Sequence, residues 1–376
     1  MRIARPLVLA LLFALLPSQG HAAITAKRVT ALFEVPSTVR AIAATKTSIA
    51  LVGESIHLLP QSARSFDDAR ELESEALLFT DVTTTTQGFL AVGIAESSVV
   101  TSTALPSNLI NPDSIPAGSS TERTLGSTRL VVTEFTEAGE ITKESIFDLD
   151  DPLIPASVLV TSDRIVIVGT IASEVGTQGF LASIGRDHGA FALTRYGVSG
   201  TSINALANPR TLYGSSDERL AGTNRRGSRD GVIFYLDSGS QLTRVVRSFQ
   251  ASTERSWSAV NTSHLAVGSA IRGENVEVAV TKFNAKGEPS WFFRLPGADP
   301  HLRGTTLAFV TKKRIDGISN FAPKSATALF AVLDTKKNGA FRSVVSIPAR
   351  DIKDLAEGFA LIVDREGRSQ LVPLAP

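Results

Sequence analysis

The chain contains no cysteine among its 376 residues. That removes disulfides, thiolate metal sites and a cysteine nucleophile together. Small exported domains often depend on disulfides, but a chain of this length can bury enough apolar surface without them. Histidine is scarce: beyond His21, only His57, His188, His264 and His301 occur, far apart and without metal-ligand spacing. Turn and strand-edge positions account for them. Aromatic residues make up 6% of the chain, and Trp257 and Trp291 both lie in strand-like runs, where they serve a core rather than a sugar-stacking platform. Neither sign of charge dominates, the formal net charge being +1, so no global field favours nucleic acid and no nucleic-acid partner is expected. No G-x-S-x-G elbow, phosphate-binding P-loop or H-E-x-x-H stretch is present. Gly197-Val198-Ser199-Gly200 approaches the first of these in the wrong register.

Only the N-terminus carries a long apolar run. Arg2 and Arg5 precede an apolar stretch from Pro6 to Pro17, and Gly20-His21-Ala22 puts small residues where a signal peptidase reads. The stretch is too short to span a bilayer as a helix, which takes about 20 residues. The pattern predicts a signal peptide over residues 1–22, with no transmembrane anchor after cleavage. The expected destination is secreted or otherwise extracytoplasmic, in the cell envelope. Residues 23–376 then form a single domain. Loss of Arg2 and Arg5 moves the charge balance from slightly positive to slightly negative.

Glycines end short apolar runs along the rest of the chain: "IALVG" at Gly53, "FLAVG" at Gly93, "RIVIVG" at Gly169, "RLAG" at Gly222, "HLAVG" at Gly268 and "RIDG" at Gly317. A recurrence near 50 residues signals repeated supersecondary units. Each unit reads as four short strands. Around Ile165 to Asn208, "RIVIVGT" is a strand buried on both faces, "GFLASIG" follows, a turn falls at Asp187-His188-Gly189, and "AFALTRYG" and "SINALAN" complete the set. The fold class is therefore all-β: a β-propeller of four-stranded antiparallel blades. With the glycine runs taken as innermost strands, "FALIVD" supplies another without its glycine. The count is seven blades, with six as the alternative if Gly358 to Gly367 is an internal hairpin. "VTALFEV" and "TVRAIAAT" precede the first glycine run and are expected to close the ring from the N-terminus.

Two segments break the rhythm. Residues 96–126, rich in Ser, Thr and Pro, account for the wide gap between Gly93 and Gly169 and are expected to be a loop insertion. "SFDDARELESEALLF" opens with Ser65 and Asp68 in capping-box spacing, predicting a short helix or irregular turn.

The units resemble those of bacterial secreted seven-bladed β-propeller repeat proteins. The pattern that carries this is an apolar strand ending in V-G-T, a G-F-L-A strand, an Asp/Asn…Gly turn and an aromatic return strand, clearest from Ile165 to Gly197. The resemblance implies a propeller outside the cytoplasm and no conserved reaction or catalytic residues.

Candidate sites are correspondingly few. "FDLDDP" clusters Asp148, Asp150 and Asp151, but Pro152 stands where a calcium loop would want a turning glycine, so a polar connection competes with a cation site. "NRRGSRDG" groups Arg225, Arg226 and Arg229, residues suited to gripping carboxylate, sulfate or phosphate. With Arg272 and the insertion around Asn108 to Asp113, these are the candidate binding residues, expected on one end of the ring. No catalytic residue and no cofactor is expected. The reading is a non-enzymatic monomer that binds a protein or a surface polymer through its loops. The alternatives are an extracellular carbohydrate-active hydrolase or lyase with carboxylates at the channel mouth, and a structural envelope component.

Overall fold

A computed structural model describes residues 24–102, 121–248 and 253–374. The expected signal peptide, Asn108 and Asp113 lie outside the described residues.

Two strands, β1 (Ile24–Arg28) and β2 (Phe33–Val35), precede the first blade, β3 (Ala41–Ala44), β4 (Ser48–Val52), β5 (Ile56–Pro60) and β6 (Arg70–Leu72). The next two meanders are β7 (Leu78–Thr84), β8 (Gly88–Ser102), β9 (Thr121–Thr136) and β10 (Ile141–Asp148), then β11 (Leu153–Val160), β12 (Arg164–Ser173), β13 (Gly176–Gly185) and β14 (Phe191–Tyr196). Two more are β15 (Thr201–Asn208), β16 (Thr211–Ser216), β17 (Asp230–Leu236) and β18 (Leu242–Ser248), then β19 (Glu254–Val260), β20 (Leu265–Arg272), β21 (Asn275–Phe283) and β22 (Pro289–Pro296). The chain ends with β23 (Ala298–Arg303), β24 (Thr306–Thr311), β25 (Ile318–Ser319), β26 (Thr327–Asp334) and β27 (Ala340–Pro348), followed by β28 (Asp351–Ala356), β29 (Phe359–Val363) and β30 (Ser369–Pro373).

The expectation of seven four-stranded antiparallel blades is corrected: six sheets are four-stranded blades. The sheet on β23, β24, β26 and β27 is instead six-stranded and mixed. Its edge is extended by β1, which runs parallel to β27 (Ala26↔Val344) and to β25 (Ile24↔Ile318). N-terminal closure also differs in detail. β2 alone completes the last blade, pairing antiparallel with β30 (Phe33↔Leu371), whereas "TVRAIAAT" forms β3 of the following blade.

The difference comes from one misplaced strand. The glycine-ended runs are second strands, not innermost ones; the innermost are β3, β7, β11, β15, β19, β23 and β28, which pack side by side in a closed cycle. Second strands read as continuous apolar runs because they serve two cores. In β8, Phe89 and Ala91 pack toward the β3–β6 blade, while Leu90 and Val92 pack toward the β11–β14 blade. In β12, Ile165 and Ile167 face one neighbour, Val166 and Val168 the other. A strand buried on both faces carries no alternation to show its place in the sheet.

The glycines have a physical cause. A Cβ on Gly93, Gly169, Gly214 or Gly268 would overlap a backbone carbonyl of the inner strand, respectively that of Leu78, Ile154, Ser202 or Ser256, and one on Gly53 would overlap the Thr38 carbonyl just ahead of β3. Close backbone approach requires glycine there. Gly222 and Gly317 do not belong to this set: both lie outside strands at positive φ, a Cβ added at either would meet no heavy atom of another residue within 4 Å, and Gly214 of "TLYGSS" takes the position assigned to Gly222. Gly268→Ala should therefore lower stability by about 1–3 kcal/mol, the usual cost of overpacking. Gly222→Asn should cost little, because Asn tolerates the left-handed region. Urea midpoints compare the two, and equal losses would contradict this assignment.

The insertion is in part strand. β8 and β9 continue as a paired ribbon from Ser97↔Gly126 to Ser102↔Thr121, so the expected loop over residues 96–126 is corrected at both ends. Ser65 and Asp68 do form a capping box, on a single 3₁₀ turn, Phe66–Asp68. The turn runs directly into strand β6.

Candidate functional site

The inner strands surround a cavity of about 460 Å³ at the ring's centre. The residues there are more charged than the apolar runs behind them. Six of these strands carry a bulge at a similar level, between Phe79/Asp81, Pro155/Ser157, Ile203/Ala205, Trp257/Ala259, Ala298/His301 and Ile352/Asp354. A bulge re-aims the side chains beside it. Asp81 and Asp354 follow two of these bulges, and their carboxylates turn onto backbone. Oδ1 of Asp81 accepts from the Val82 N–H at 2.8 Å, and Oδ2 from the Val158 N–H of β11 at 2.8 Å. Asp354 repeats the device, accepting from the Leu355 N–H at 2.7 Å and the Ile42 N–H of β3 at 2.9 Å. Each therefore ties two neighbouring inner strands together.

Burial dominates the acidity of both groups. It pushes the Asp81 carboxyl up to about 7, with the Asp354 charge adding to the shift. Asp354 is also raised, by burial above all. Asp299 in the same cavity moves upward through burial and then the Asp351 charge. Lys353 Nζ donates to the carbonyls of Ser37 at 2.6 Å and Val39 at 2.7 Å. Burial lowers its pKa, and nearby Arg40 adds to that. Arg40, His301 and Arg303 complete the charged lining. Of these channel residues the sequence singled out only His301, and that as an ordinary turn or strand-edge histidine. Chemically, the Asp81 and Asp354 carboxylates are committed to main-chain donors and brace the ring.

A second concentration of polar groups lies where β15 and β16 meet β19 and β20. The connection from β16 to β17 contains Arg225, Arg226 and Arg229. It is pinned from below by Asp230, whose buried carboxylate accepts from the N–H groups of Arg226 at 3.0 Å and Gly227 at 2.8 Å. The Arg229 backbone forms an isolated parallel β-bridge with that of Glu254 in the neighbouring blade, and its carbonyl accepts from the Arg255 N–H at 2.9 Å. Arg225 and Arg226 are exposed, while Arg229 turns inward so that its Nε donates to Ser215 Oγ at 2.8 Å. Arg272 is exposed at the end of β20, on the connection to β21.

These connections share one end of the ring, since in each meander the links from second to third strand and from one blade to the next emerge together. The β8–β9 ribbon extends from the same end. Exposed apolar side chains gather there too. Leu77 and Val198 lie on links between blades and Val175 on a second-to-third-strand turn, while Ile154 and Val276 begin β11 and β21 at that end.

The acidic cluster is dispersed into ion pairs. Asp148 pairs with Arg129 at 2.9 Å and Asp151 with Arg195 at 2.5 Å. Among the described residues no three His, Asp or Glu side chains group as a metal site. His188 and His264 occupy tight turns at positive φ, bonded to Ser145 and Tyr213 respectively.

Comparison with known proteins bears on the fold. No family model matches the chain, and no curated protein matches it in sequence. Among solved structures, the WD40 domain of coronin from Toxoplasma gondii is similar in shape: it aligns over 93% of this chain and 87% of its own, with a TM-score of 0.51 at 9% identity. The chain is a β-propeller. At that identity the likeness speaks for architecture, and the propeller's loops must be read on their own chemistry. Among the described residues, no helix is long and apolar enough to cross a membrane.

Proposed function

We propose that this propeller is a non-enzymatic binding protein that works outside the cytoplasm and docks a protein partner on the end of the ring bearing the β16–β17 connection. The observation that carries the reading is the mixed surface at that end. Leu77, Ile154, Val175 and Val198 are exposed apolar residues, and they share the end with exposed Arg225, Arg226 and Arg272. Exposed apolar groups interspersed with arginine mark protein interfaces more than solvated rims. Propellers are common scaffolds for such contacts, and the β16–β17 connection is held rigid by Asp230, which limits the ordering cost of binding.

Affinity capture with the processed chain from the producing cell's extracytoplasmic fraction tests this. A Val175→Asp, Val198→Asp, Arg225→Glu, Arg226→Glu variant should lose the captured protein while keeping its unfolding midpoint. A variant of Lys46, Lys336 and Lys337, charge-reversed on other connections, should retain it. The reverse pattern, or a surface polysaccharide captured instead, would overturn the proposal. Export has its own check: intact mass of the secreted chain should correspond to a start at Ala23, and an unprocessed chain retained in the cytoplasm would contradict it.

A further inference from the structure

Beneath the arginine connection, the interface between the β15–β18 and β19–β22 blades contains a cavity of about 300 Å³. Polar residues line most of it, with Ile271 among them: Ser202 and Ser215 from one blade, Ser256 and Ser269 from the next, with Arg229 and Arg255 across the seam and Glu254 at the exposed edge. Two guanidinium groups share the lining with one carboxylate, Glu254, which leaves it net positive. Asp230 is paired with Arg247 at 3.2 Å, and Glu277 with Arg294 at 3.1 Å. Neither Arg229 nor Arg255 forms an ion pair with a carboxylate among the described residues. Arg255 Nε is buried with no hydrogen-bond partner, a costly state for a guanidinium donor. Burial, with nearby Arg294, correspondingly lowers its pKa.

We infer that this cavity is a binding site for a tetrahedral oxyanion, a phosphate or sulfate group, held between Arg229 and Arg255. Two guanidinium groups match a doubly charged ligand and present paired N–H donors. The serine hydroxyls come from four different strands, so donors approach from several directions, which suits four tetrahedral oxygens better than a planar carboxylate. Ser202 and Ser215 are bonded to one another at 2.9 Å and fix the floor; Ser256 and Ser269 line the facing wall. The site is independent of the protein-docking reading, and either can fail alone.

The test is a titration of the processed chain with sodium sulfate and sodium phosphate at ionic strength held constant with sodium chloride, read by calorimetry and thermal shift. Saturable binding in the millimolar range or tighter is expected, with at least a tenfold loss in Arg229→Gln and in Arg255→Gln and no change in Arg225→Gln. Should a glutamine variant fail to fold, Ser269→Ala, expected to weaken binding severalfold at an unchanged midpoint, takes its place. O-phosphoserine and glucosamine 6-sulfate distinguish the source: tighter binding of the esters indicates a group carried by a larger ligand, tighter binding of the inorganic ions a free anion. Either supports the site if the arginine variants abolish it. Absence of saturation, equal response in the arginine variants, or acetate binding more tightly than sulfate would overturn the proposal.

Discussion

Replacing Asp81 by alanine should lower the stability of the propeller by about 2–4 kcal/mol and remove the contribution of this one carboxyl to its pH dependence between about pH 4 and 7. The first effect follows from geometry. The Val82 and Val158 N–H groups belong to buried residues on adjacent inner strands and both lose their acceptor. A buried donor left unmade costs about 1–3 kcal/mol. The second follows from the carboxyl's raised pKa, about 7 when folded. An unfolded aspartate titrates near 4. Between those values the folded chain holds a proton that the unfolded chain has released, so stability falls as pH rises through the window and is level on either side. The loss for one group is at most about 4 kcal/mol, from roughly 1.4 kcal/mol per pH unit. Asp81→Asn separates the two effects, keeping one acceptor while abolishing titration. It should be less stable than the parent at pH 5 and approach it at pH 8. Urea unfolding at both pH values measures this; a parent protein whose midpoint rises from pH 5 to pH 8 would refute it. Asp354→Ala should mirror the first effect on the opposite side of β3, through Ile42 and Leu355.

The backbone demands were legible in the residues, and the sheet positions were not. Gly53, Gly93, Gly169 and Gly268 stand out because each interrupts an aliphatic run at the point where a carbonyl of the inner strand, or for Gly53 one just ahead of it, presses against it. Gly214 serves the same purpose but sits among Tyr and Ser, without the apolar flank that marks the others. Inner strands are harder to see than second strands. They are rich in Ala interspersed with polar residues, and all but β3 are broken by bulges, so their pattern slips by one residue midway. That slip hides Asp81 and Asp354 in "FTDV" and "IKDL", which look like ordinary surface strand. In retrospect both share a signal: hydrophobic, polar, Asp, hydrophobic, one strand ahead of an aliphatic run. Arg229 was legible because it lies in a cluster. Arg255 was not, since the seam that brings it to Arg229 joins two blades and leaves no trace in local spacing.

The arginine connection depends on a buried charge beneath it, and disturbing that charge should have the largest local consequence. Asp230 and Arg247 are almost wholly excluded from solvent, at 0% and 3% side-chain exposure. Arg247 also donates to the carbonyls of Glu218 at 2.5 Å and Thr223 at 3.2 Å. Asp230 spends its remaining capacity on the Arg226 and Gly227 N–H groups. Removing either partner leaves an uncompensated buried charge, at a cost of about 3–5 kcal/mol. Asp230→Ala and Arg247→Met should each fall in that range. The double variant should be less destabilised than the two losses added, because it removes both charges and the coupling between them. Asp230→Ala has a further effect that Arg247→Met lacks: it frees the connection from its anchor. It should raise the protease sensitivity of residues 224–229 and weaken sulfate binding at Arg229, even under conditions where the protein remains folded. Limited proteolysis with mass mapping, beside a sulfate titration of both single variants, distinguishes the two roles. Equal protection of the connection in the two variants would show that Asp230 acts only as a charge partner and that the loop holds its shape by other means.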